Sequence, residues 1–260
     1  MTILNLKNVS IMQPGKPSHC LVDAVSCEIS AGEILGIIGP NGAGKSSLLK
    51  AISGDWPHQG TLDIIGVSQD PVIRARQIAV LPQFSLLNFP YRVSEVVSLG
   101  RIPHQSGIKR DEEIVEHALA MMDISFLKDR LYTQLSGGEK QRVQLARVFA
   151  QIWDQNDAEN GLRLLMLDEP TTALDLGHQQ ALMTAVRNFA SQNVGVVMVL
   201  HDVNLAARYA DKILALLCSQ VVAYGSVQEV ITRDNIKRLY EIDNQILEHP
   251  VDRTPMVIGI

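Results

Sequence analysis

The 260-residue sequence is poor in aromatic residues and has no excess of basic charge. Aromatic residues make up 5% of the chain against 46% for all hydrophobic residues, so aliphatic side chains must form most of the core. Lys and Arg total 23 against 28 Asp and Glu, whereas dedicated nucleic-acid-binding proteins usually carry a strongly basic surface. The composition therefore predicts a globular protein and argues against a dedicated nucleic-acid binder.

Cysteine is also scarce. Cys20, Cys27 and Cys218 form no CxxC motif, and three cysteines cannot all pair within one chain. We therefore expect no disulfide framework, which favours a reducing compartment. Because Cys218 directly follows the apolar run Ile213–Leu217, the sequence predicts that its thiol is buried.

Long apolar segments are missing as well. The longest run, Val194–Leu200, is far shorter than the roughly 20 residues that cross a bilayer. The first residues do not combine a basic start with a long apolar stretch, so no signal peptide is expected. A membrane role would therefore require a partner.

The apolar segments that are present alternate with helical patterns. Strands are predicted within Glu33–Gly39, Leu164–Leu167, Val194–Leu200 and Ile213–Leu217. A helix is predicted over Lys45–Ser53 and ends at Gly54. A second helix is predicted between the second and third strands, with an apolar face formed by Leu182, Ala185, Val186 and Phe189. Apolar strands that alternate with helices predict an α/β fold with a mostly parallel sheet.

The middle of the chain is different, because residues 88–153 lack good strand candidates. Apolar side chains recur at helical spacing in two places, namely Val115, Ala118, Leu119 and Met122, and then Leu145, Val148, Phe149 and Ile152. A polar stretch at 154–161 predicts a surface loop, and the tail predicts short strands and a closing helix at Arg233–Tyr240. We therefore expect one domain, with a core at 1–87 and 162–220, a helical subdomain at 88–161 and a C-terminal part at 221–260.

A glycine loop follows the first predicted strand and fits G-x-x-x-x-G-K-[ST] at every fixed position. Glycines let backbone N–H groups approach phosphate oxygens, and the next helix directs its positive end to the same anion. Lys45 suits the β and γ phosphates, and the Ser46 hydroxyl suits Mg²⁺. The predicted nucleotide-binding residues are Gly39, Pro40, Asn41, Gly42, Ala43, Gly44, Lys45, Ser46 and Ser47.

An acidic pair, Asp168 and Glu169, ends the predicted strand that begins at Leu164. Strand ends of this kind face the ligand crevice of an α/β sheet. Successive side chains alternate in direction, so the two carboxylates should have different roles. Asp168 is suited to holding Mg²⁺, and Glu169 is suited to polarising the water that attacks the γ phosphate.

A second glycine element, Ser136-Gly137-Gly138-Glu139, opens a predicted helix. Ser136 and Glu139 have the spacing of a capping box, which is a purely structural interpretation. A cap does not require glycine, however, and each glycine costs about 1 kcal/mol relative to alanine inside a helix. The alternative is that backbone amides approach another phosphate, supplied by a second copy arranged head to tail.

With these motifs in order, the chain resembles the ATP-binding cassette (ABC) ATPases over essentially its whole length. The resemblance implies a RecA-like P-loop core with a mostly parallel sheet, an antiparallel β element and an inserted helical signature subdomain. It assigns Ser136–Glu139 to the partner's ATP, Glu169 and His201 to catalysis, and Ala173–Asp175 to the D-loop. The implied Mg²⁺ ligands are Ser46, Gln83 and Asp168.

The segments Val80–His104 and Leu167–Gln179 further resemble the ABC ATPases of bacterial haem importers, as does the long polar loop. Glu139, in place of the family's usual glutamine, is common in the group of iron-siderophore, cobalamin and haem importers. The resemblance implies an ATP- and Mg²⁺-dependent homodimer on the cytoplasmic face of the inner membrane. It would be docked on two permease subunits, fed by a periplasmic haem-binding protein and unconnected with nucleic acid. Iron-siderophore or cobalamin import, or a soluble non-transport ABC ATPase, are the alternatives.

One departure from the family concerns the base of the nucleotide. The family stacks adenine on an aromatic residue shortly after the first strand, but Val9–His19 contains no Phe, Tyr or Trp. Met12 or His19 are the alternatives for packing on the base, so the sequence assigns no adenine-binding residue.

Overall fold

The computed structural model describes residues 1–83, 87, 89–154 and 162–260. The predicted surface loop at 154–161 lies outside these residues except for Asp154. The strands are β1 Thr2–Gln13, β2 Lys16–Ser30, β3 Ile34–Ile38, β4 Gln59–Ile64, β5 Ile78–Leu81, β6 Arg163–Asp168, β7 Val194–Val199, β8 Lys212–Leu217, β9 Gln220–Ser226, β10 Asn244–Glu248 and β11 Pro255–Gly259. The helices are α1 Lys45–Ser53, α2 Pro71–Gln77, α3 Val93–Ser98, α4 Ile108–Met121, α5 Gly137–Gln151, α6 Leu176–Ala190, α7 Val203–Tyr209, α8 Val227–Val230 and α9 Arg233–Tyr240.

The chain forms two compact units. The first unit contains residues Met1–Ile65 and Gly195–Ile260. In it, β3 lies between β7 and β8 and runs parallel to both, while β9 pairs antiparallel with β8. All five residues of β3 and all six of β7 are buried, as expected for strands that are covered on both faces.

The first unit also holds two antiparallel elements. Strand β1 pairs with β2 on one side and with β4 on the other, which forms the antiparallel sheet that the sequence predicted. Strands β10 and β11 form a C-terminal hairpin. The sequence predicted α9 correctly at Arg233–Tyr240, but α9 is not the closing element because this hairpin follows it.

The second unit contains residues Gly66–Val194. Strands β5 and β6 pair in parallel, and α3, α4 and α5 pack together. The apolar face predicted for α4 is buried, as is that of α5. The helix α6 contributes Phe189, whose ring stacks on that of Phe149 at 4.9 Å between centroids. The predicted α/β fold with its helical insertion is confirmed, whereas the three-part domain division stays a prediction.

The expectation of a buried Cys218 is wrong. The apolar run ends at Leu217, which pairs with Gln220, so Cys218 and Ser219 form a two-residue hairpin turn. Both turn residues have positive φ, 47° and 69°, and Cys218 is exposed. The buried thiol belongs instead to Cys27, where burial raises the pKa to about 12.

Candidate functional site

The glycine loop joins β3 to α1 in the first unit, and its backbone explains two of its glycines. Gly39 has φ +145°, and a Cβ there would lie 2.1 Å from the carbonyl oxygen of Leu216. Gly44 has φ +102°, and a Cβ there would lie 2.2 Å from the carbonyl oxygen of Leu21. No other residue type can occupy either position without moving the backbone.

The end of this loop is arranged as an anion site. Helix α1 has Gly44 at its N-cap, and this residue provides no side-chain hydrogen bond to the first-turn amides. Gly42 has φ +80° and nothing within 4 Å of a Cβ position. Lys45 is 5% exposed, and its Nζ donates to the carbonyl oxygens of Gly39 at 2.8 Å and Pro40 at 2.9 Å. These features fit a phosphate group.

His201 belongs to the same unit. It follows β7 by two residues, as the glycine loop follows β3, and the two strands are parallel neighbours with Ile37 opposite Val199. The amide of Leu200 donates to the carbonyl oxygen of Ile37 at 3.1 Å. His201 and the glycine loop therefore leave the same edge of one sheet.

The acidic pair lies in the second unit, at the end of β6. Leu167 is opposite Leu81 of β5, so Gln83 and Asp168 also leave one edge of two parallel strands. Asp168 is 6% exposed, whereas Gln83 is exposed. This placement agrees with the prediction that both residues serve one site.

The turn after β6 has an unusual backbone. Glu169 has φ 51° and Ala173 has φ 64°, which are left-handed values that residues other than glycine rarely adopt. Each such residue costs about 1–3 kcal/mol and persists only where the surrounding structure holds it in place. The segment between Glu169 and Ala173 is therefore locally strained, as is common at functional sites.

The signature element forms the predicted capping box. Ser136 is the N-cap of α5, and its Oγ accepts from the amide of Glu139 at 3.3 Å. The Glu139 carboxylate accepts from the Ser136 amide at 2.7 Å, and this bond lowers the pKa of Glu139. The structural interpretation of Ser136 and Glu139 is thus confirmed, and the interpretation as a phosphate site rests on the two glycines between them.

The two signature glycines differ. A Cβ on Gly138 would lie 2.7 Å from the carbonyl oxygen of Ala173, so this glycine allows α5 to approach the turn after β6. Gln141 strengthens that contact, because its Nε2 donates to the carbonyl oxygen of Pro170 at 3.2 Å. At Gly137, by contrast, a Cβ would meet no described atom within 4 Å. Contacts among the described residues therefore explain Gly138 but not Gly137.

Asp175 caps α6 next to the signature element. Its carboxylate accepts from the amide of His178 at 2.9 Å, and this bond lowers the pKa of Asp175. The His178 ring also contacts the carboxylate, with Nδ1 2.7 Å from Oδ1. On the other side of the ring, Nε2 lies 4.0 Å from Asp123 in the turn after α4.

Several groups that shape the site have no motif in the sequence. The carbonyl oxygens of Leu21, Ala173 and Leu216 determine where glycine is required, yet they lie far along the chain from the glycines they contact. Across the described part of the chain, no three His, Cys, Asp or Glu side chains converge as a metal site. Mg²⁺ commonly uses few protein ligands together with phosphates and waters, so Ser46, Gln83 and Asp168 stay the predicted ligands.

Comparisons with known proteins agree on one family. Residues 22–172 match the ABC transporter family. The chain is 43% identical to the hemin import ATP-binding protein HmuV of Pseudomonas fluorescens over 99% of this chain and 100% of that protein. It is 46% identical to the protein of the same name from Plesiomonas shigelloides, over 88% of this chain and 92% of that one.

The fold agrees with these matches. An ABC transporter solved in an inward-facing conformation superposes with a TM-score of 0.81 and 26% identity, over 100% of this chain and 98% of that one. No helix among the described residues is long and apolar enough to cross a membrane. The chain therefore belongs to the ABC transporter family, as an ABC transporter ATPase that binds ATP.

Proposed function

We propose that this chain hydrolyses ATP to drive hemin import. The observation that supports the cargo is the identity of 43% to a hemin import ATP-binding protein along the full length of both chains. The matched length covers the helical insertion and the C-terminal part as well as the nucleotide motifs. None of the seven histidines need bind the cargo, which would pass through the permeases.

The glycine loop holds the triphosphate in this proposal. The N-terminus of α1 and the amides of Gly42, Gly44 and Lys45 would face the anion. Lys45 would exchange its bonds to the loop carbonyls for bonds to the β and γ phosphates. Ser46, Gln83 and Asp168 would hold Mg²⁺. When bound, that ion neutralises charge on the phosphates.

Glu169 and His201 act in hydrolysis. Glu169 orients and deprotonates the attacking water, a role that is typically worth 10²–10⁴-fold in rate. His201 contacts the γ phosphate. The strained backbone at Glu169 supports this assignment, since a left-handed glutamate at a strand end is retained at a cost in stability.

The signature element binds the ATP of a second copy. Ser136, Gly137, Gly138 and Glu139 would face the partner's nucleotide, with Asp175 near the same interface. The support is Gly137, because no contact among the described residues requires a glycine there. ATP then contacts both chains only when the homodimer is closed, so binding favours closure and hydrolysis favours reopening.

The remaining partners follow from an importer role. The homodimer would dock on two permease subunits at the cytoplasmic face of the inner membrane and receive cargo through them from a periplasmic haem-binding protein. The Gln83 region and the helical subdomain would transmit the closing and reopening of the homodimer to the permeases. The net charge of −5 also supports a partner other than nucleic acid.

Growth of the source organism tests both the cargo and the need for hydrolysis. A strain that lacks the gene is grown with hemin as its sole iron source, with inorganic iron as the control. We expect failure on hemin alone, restored by the wild-type gene but not by Glu169→Gln. The variant protein should still bind ATP and should dimerise on a sizing column with ATP and Mg²⁺.

Two outcomes contradict the proposal in different ways. Normal growth of the deletion strain on hemin, together with failure on an iron-siderophore or cobalamin, assigns the machinery to that other cargo. A Glu169→Gln protein that stays monomeric with ATP and Mg²⁺ contradicts the composite site between two copies, whatever the cargo is.

A further inference from the structure

Helix α7 begins directly after His201. Asp202 caps the helix, with its Oδ1 accepting from the amides of Asn204 at 2.8 Å and Leu205 at 3.1 Å. Asp202 is also the one residue between His201 and α7, so a displacement of the helix displaces the backbone at His201. The direction of α7 therefore sets the direction in which His201 leaves β7.

Few large apolar side chains of α7 are fully buried, although Val203, Leu205 and Tyr209 are half-buried. Its fully buried side chains are alanines, Ala206 and Ala207, followed by Ala210 after the helix. They approach Gly36 of β3 closely, since a Cβ there would lie 3.2 Å from that of Ala210. Burial contributes about 0.8 kcal/mol per methyl or methylene group, so these three side chains provide far less than leucines would.

The C-terminal hairpin supplies a second attachment. The Nδ2 of Asn204 donates to the carbonyl oxygen of Val257 at 3.1 Å, and the Val257 amide donates to the Asn204 Oδ1 at 2.7 Å. One turn further along α7, the Nε of Arg208 lies 3.1 Å from the carboxylate of Asp252 in the hairpin loop. Both ends of the helix are thus tied to one hairpin.

The edge of β11 that makes these bonds is separate from the edge that holds the hairpin together. Val257 lies opposite Ile246 in the ladder, yet its N–H and C=O both bond to Asn204. In an antiparallel pair the N–H and C=O of one residue point to the same side, so those of Val257 point away from β10. The Asn204 amide pairs with this outer edge as a neighbouring strand would.

We propose that Asn204 is a positioning residue for ATP hydrolysis: it clamps α7 to the C-terminal hairpin and thereby fixes the orientation of His201. This inference rests on the proposed role of His201. Asn204 itself touches no reacting group, and its effect is transmitted through Asp202, the one residue between His201 and α7.

Two variants remove the clamp from opposite sides. Asn204→Ala removes both hydrogen bonds. Val257→Pro removes only the amide donor of Val257 and leaves the hydrogen bonds between β10 and β11 in place. In the 260-residue chain, each should lower kcat for ATP about three- to tenfold, the loss expected from one or two hydrogen bonds. KM and the affinity for ADP should stay within about twofold, and amide exchange should accelerate in 201–209.

A matched control removes another asparagine bond of the same unit. Asn235 Nδ2 donates to the carbonyl oxygen of Val230 at 2.9 Å, and neither partner of this bond belongs to α7 or to the hairpin. Asn235→Ala should therefore leave kcat at the wild-type value. Thermal unfolding of all variants identifies any that fail to fold. Because Asn204 is exposed, Asn204→Ala should disturb folding less than Val257→Pro.

His201→Ala separates the inference from the proposal on which it rests. If His201→Ala lowers kcat and Asn204→Ala adds no further loss in that background, the clamp acts through His201. Equal losses of Asn204→Ala in both backgrounds, or wild-type kcat in Asn204→Ala alone, overturn the clamp. Wild-type kcat in His201→Ala overturns the proposed role of His201 and the clamp with it.

Discussion

Two glycine-containing turns each begin a helix in this protein, and they are built differently. At Gly39–Lys45 the helix α1 has no side-chain cap, and its glycines at 39 and 44 are pressed against backbone carbonyls with positive φ. At Ser136–Glu139 the helix α5 has a complete capping box, and Gly137 faces open space among the described residues. The first helix start has no side chain at its N-cap to bond its amides, whereas the second satisfies two of its own amides with the capping box.

The difference separates what one chain needs from what a second chain would need. The fold of the chain itself requires Gly39 and Gly44, and it also accounts for Gly138 through the carbonyl of Ala173. Among the described residues, no contact requires a glycine at Gly137, although a glycine in the first turn weakens the helix. A ligand held by another copy would provide the missing reason, so the two turns should respond differently to substitution.

The largest expected difference is in stability. Gly44→Ala places a Cβ 2.2 Å from the carbonyl oxygen of Leu21 at φ +102° and should lower the free energy of unfolding by about 4 kcal/mol or more. Gly137→Ala meets no neighbour and replaces glycine by a better helix former, so it should be neutral or stabilising by up to about 1 kcal/mol. Urea unfolding of both proteins measures the difference.

Turnover should give the opposite result for Gly137. The alanine methyl group would intrude where the partner's nucleotide approaches, so the well-folded Gly137→Ala protein should hydrolyse ATP at least about tenfold more slowly. Wild-type turnover in that variant would mean that the open space at Gly137 is not a nucleotide contact, and the contrast between the two turns would then be structural only.

A second prediction separates binding from turnover. Ser136→Arg puts a bulky side chain at the signature element and should lower turnover about a hundredfold, while the ATP affinity of a single chain stays nearly unchanged. Nucleotide titration of the monomer and steady-state hydrolysis measure the two quantities. A large loss of monomer affinity would instead place Ser136 in the site of its own chain.

The local parts of these turns were predictable from the sequence. The strand, glycine loop and helix are contiguous, and helix α1 begins and ends at the predicted Lys45 and Ser53. The capping box likewise depends on two residues three apart, Ser136 and Glu139. In each case the forces that decide the structure act within about one helical turn, so spacing alone identifies them.

Features that depend on distant segments were not predictable in this way. The carbonyl of Leu216 that dictates Gly39 is supplied by another strand, and no residue type marks it. Cys218 follows five apolar residues, so burial was expected, but a tight turn with two positive φ values places it outside. That turn uses Cys and Ser where Asn-Gly is the usual signal, and nothing in the local pattern indicates it.

The smallest expected effect concerns the acid stability of the capping box. Hydrogen bonds from Ser136 lower the pKa of Glu139 below its ordinary 4.5, so the ionised carboxylate stabilises the fold above that pH. The contribution is lost as the pH falls from 4.5 through the folded-state pKa. Because Glu139 is only half-buried and solvent screens its carboxylate, we expect about 0.5 kcal/mol at most.

Glu139→Gln keeps an acceptor for the Ser136 amide but cannot titrate. The wild-type chain should therefore be slightly more stable than the variant near neutral pH, and this difference should vanish in urea unfolding well below pH 4.5. Glu112→Gln, on the exposed side of α4, is the matched control for the loss of one carboxylate charge. Equal pH dependence in the two variants would mean that the signature helix is held by its contacts to the turn after β6 and not by its cap.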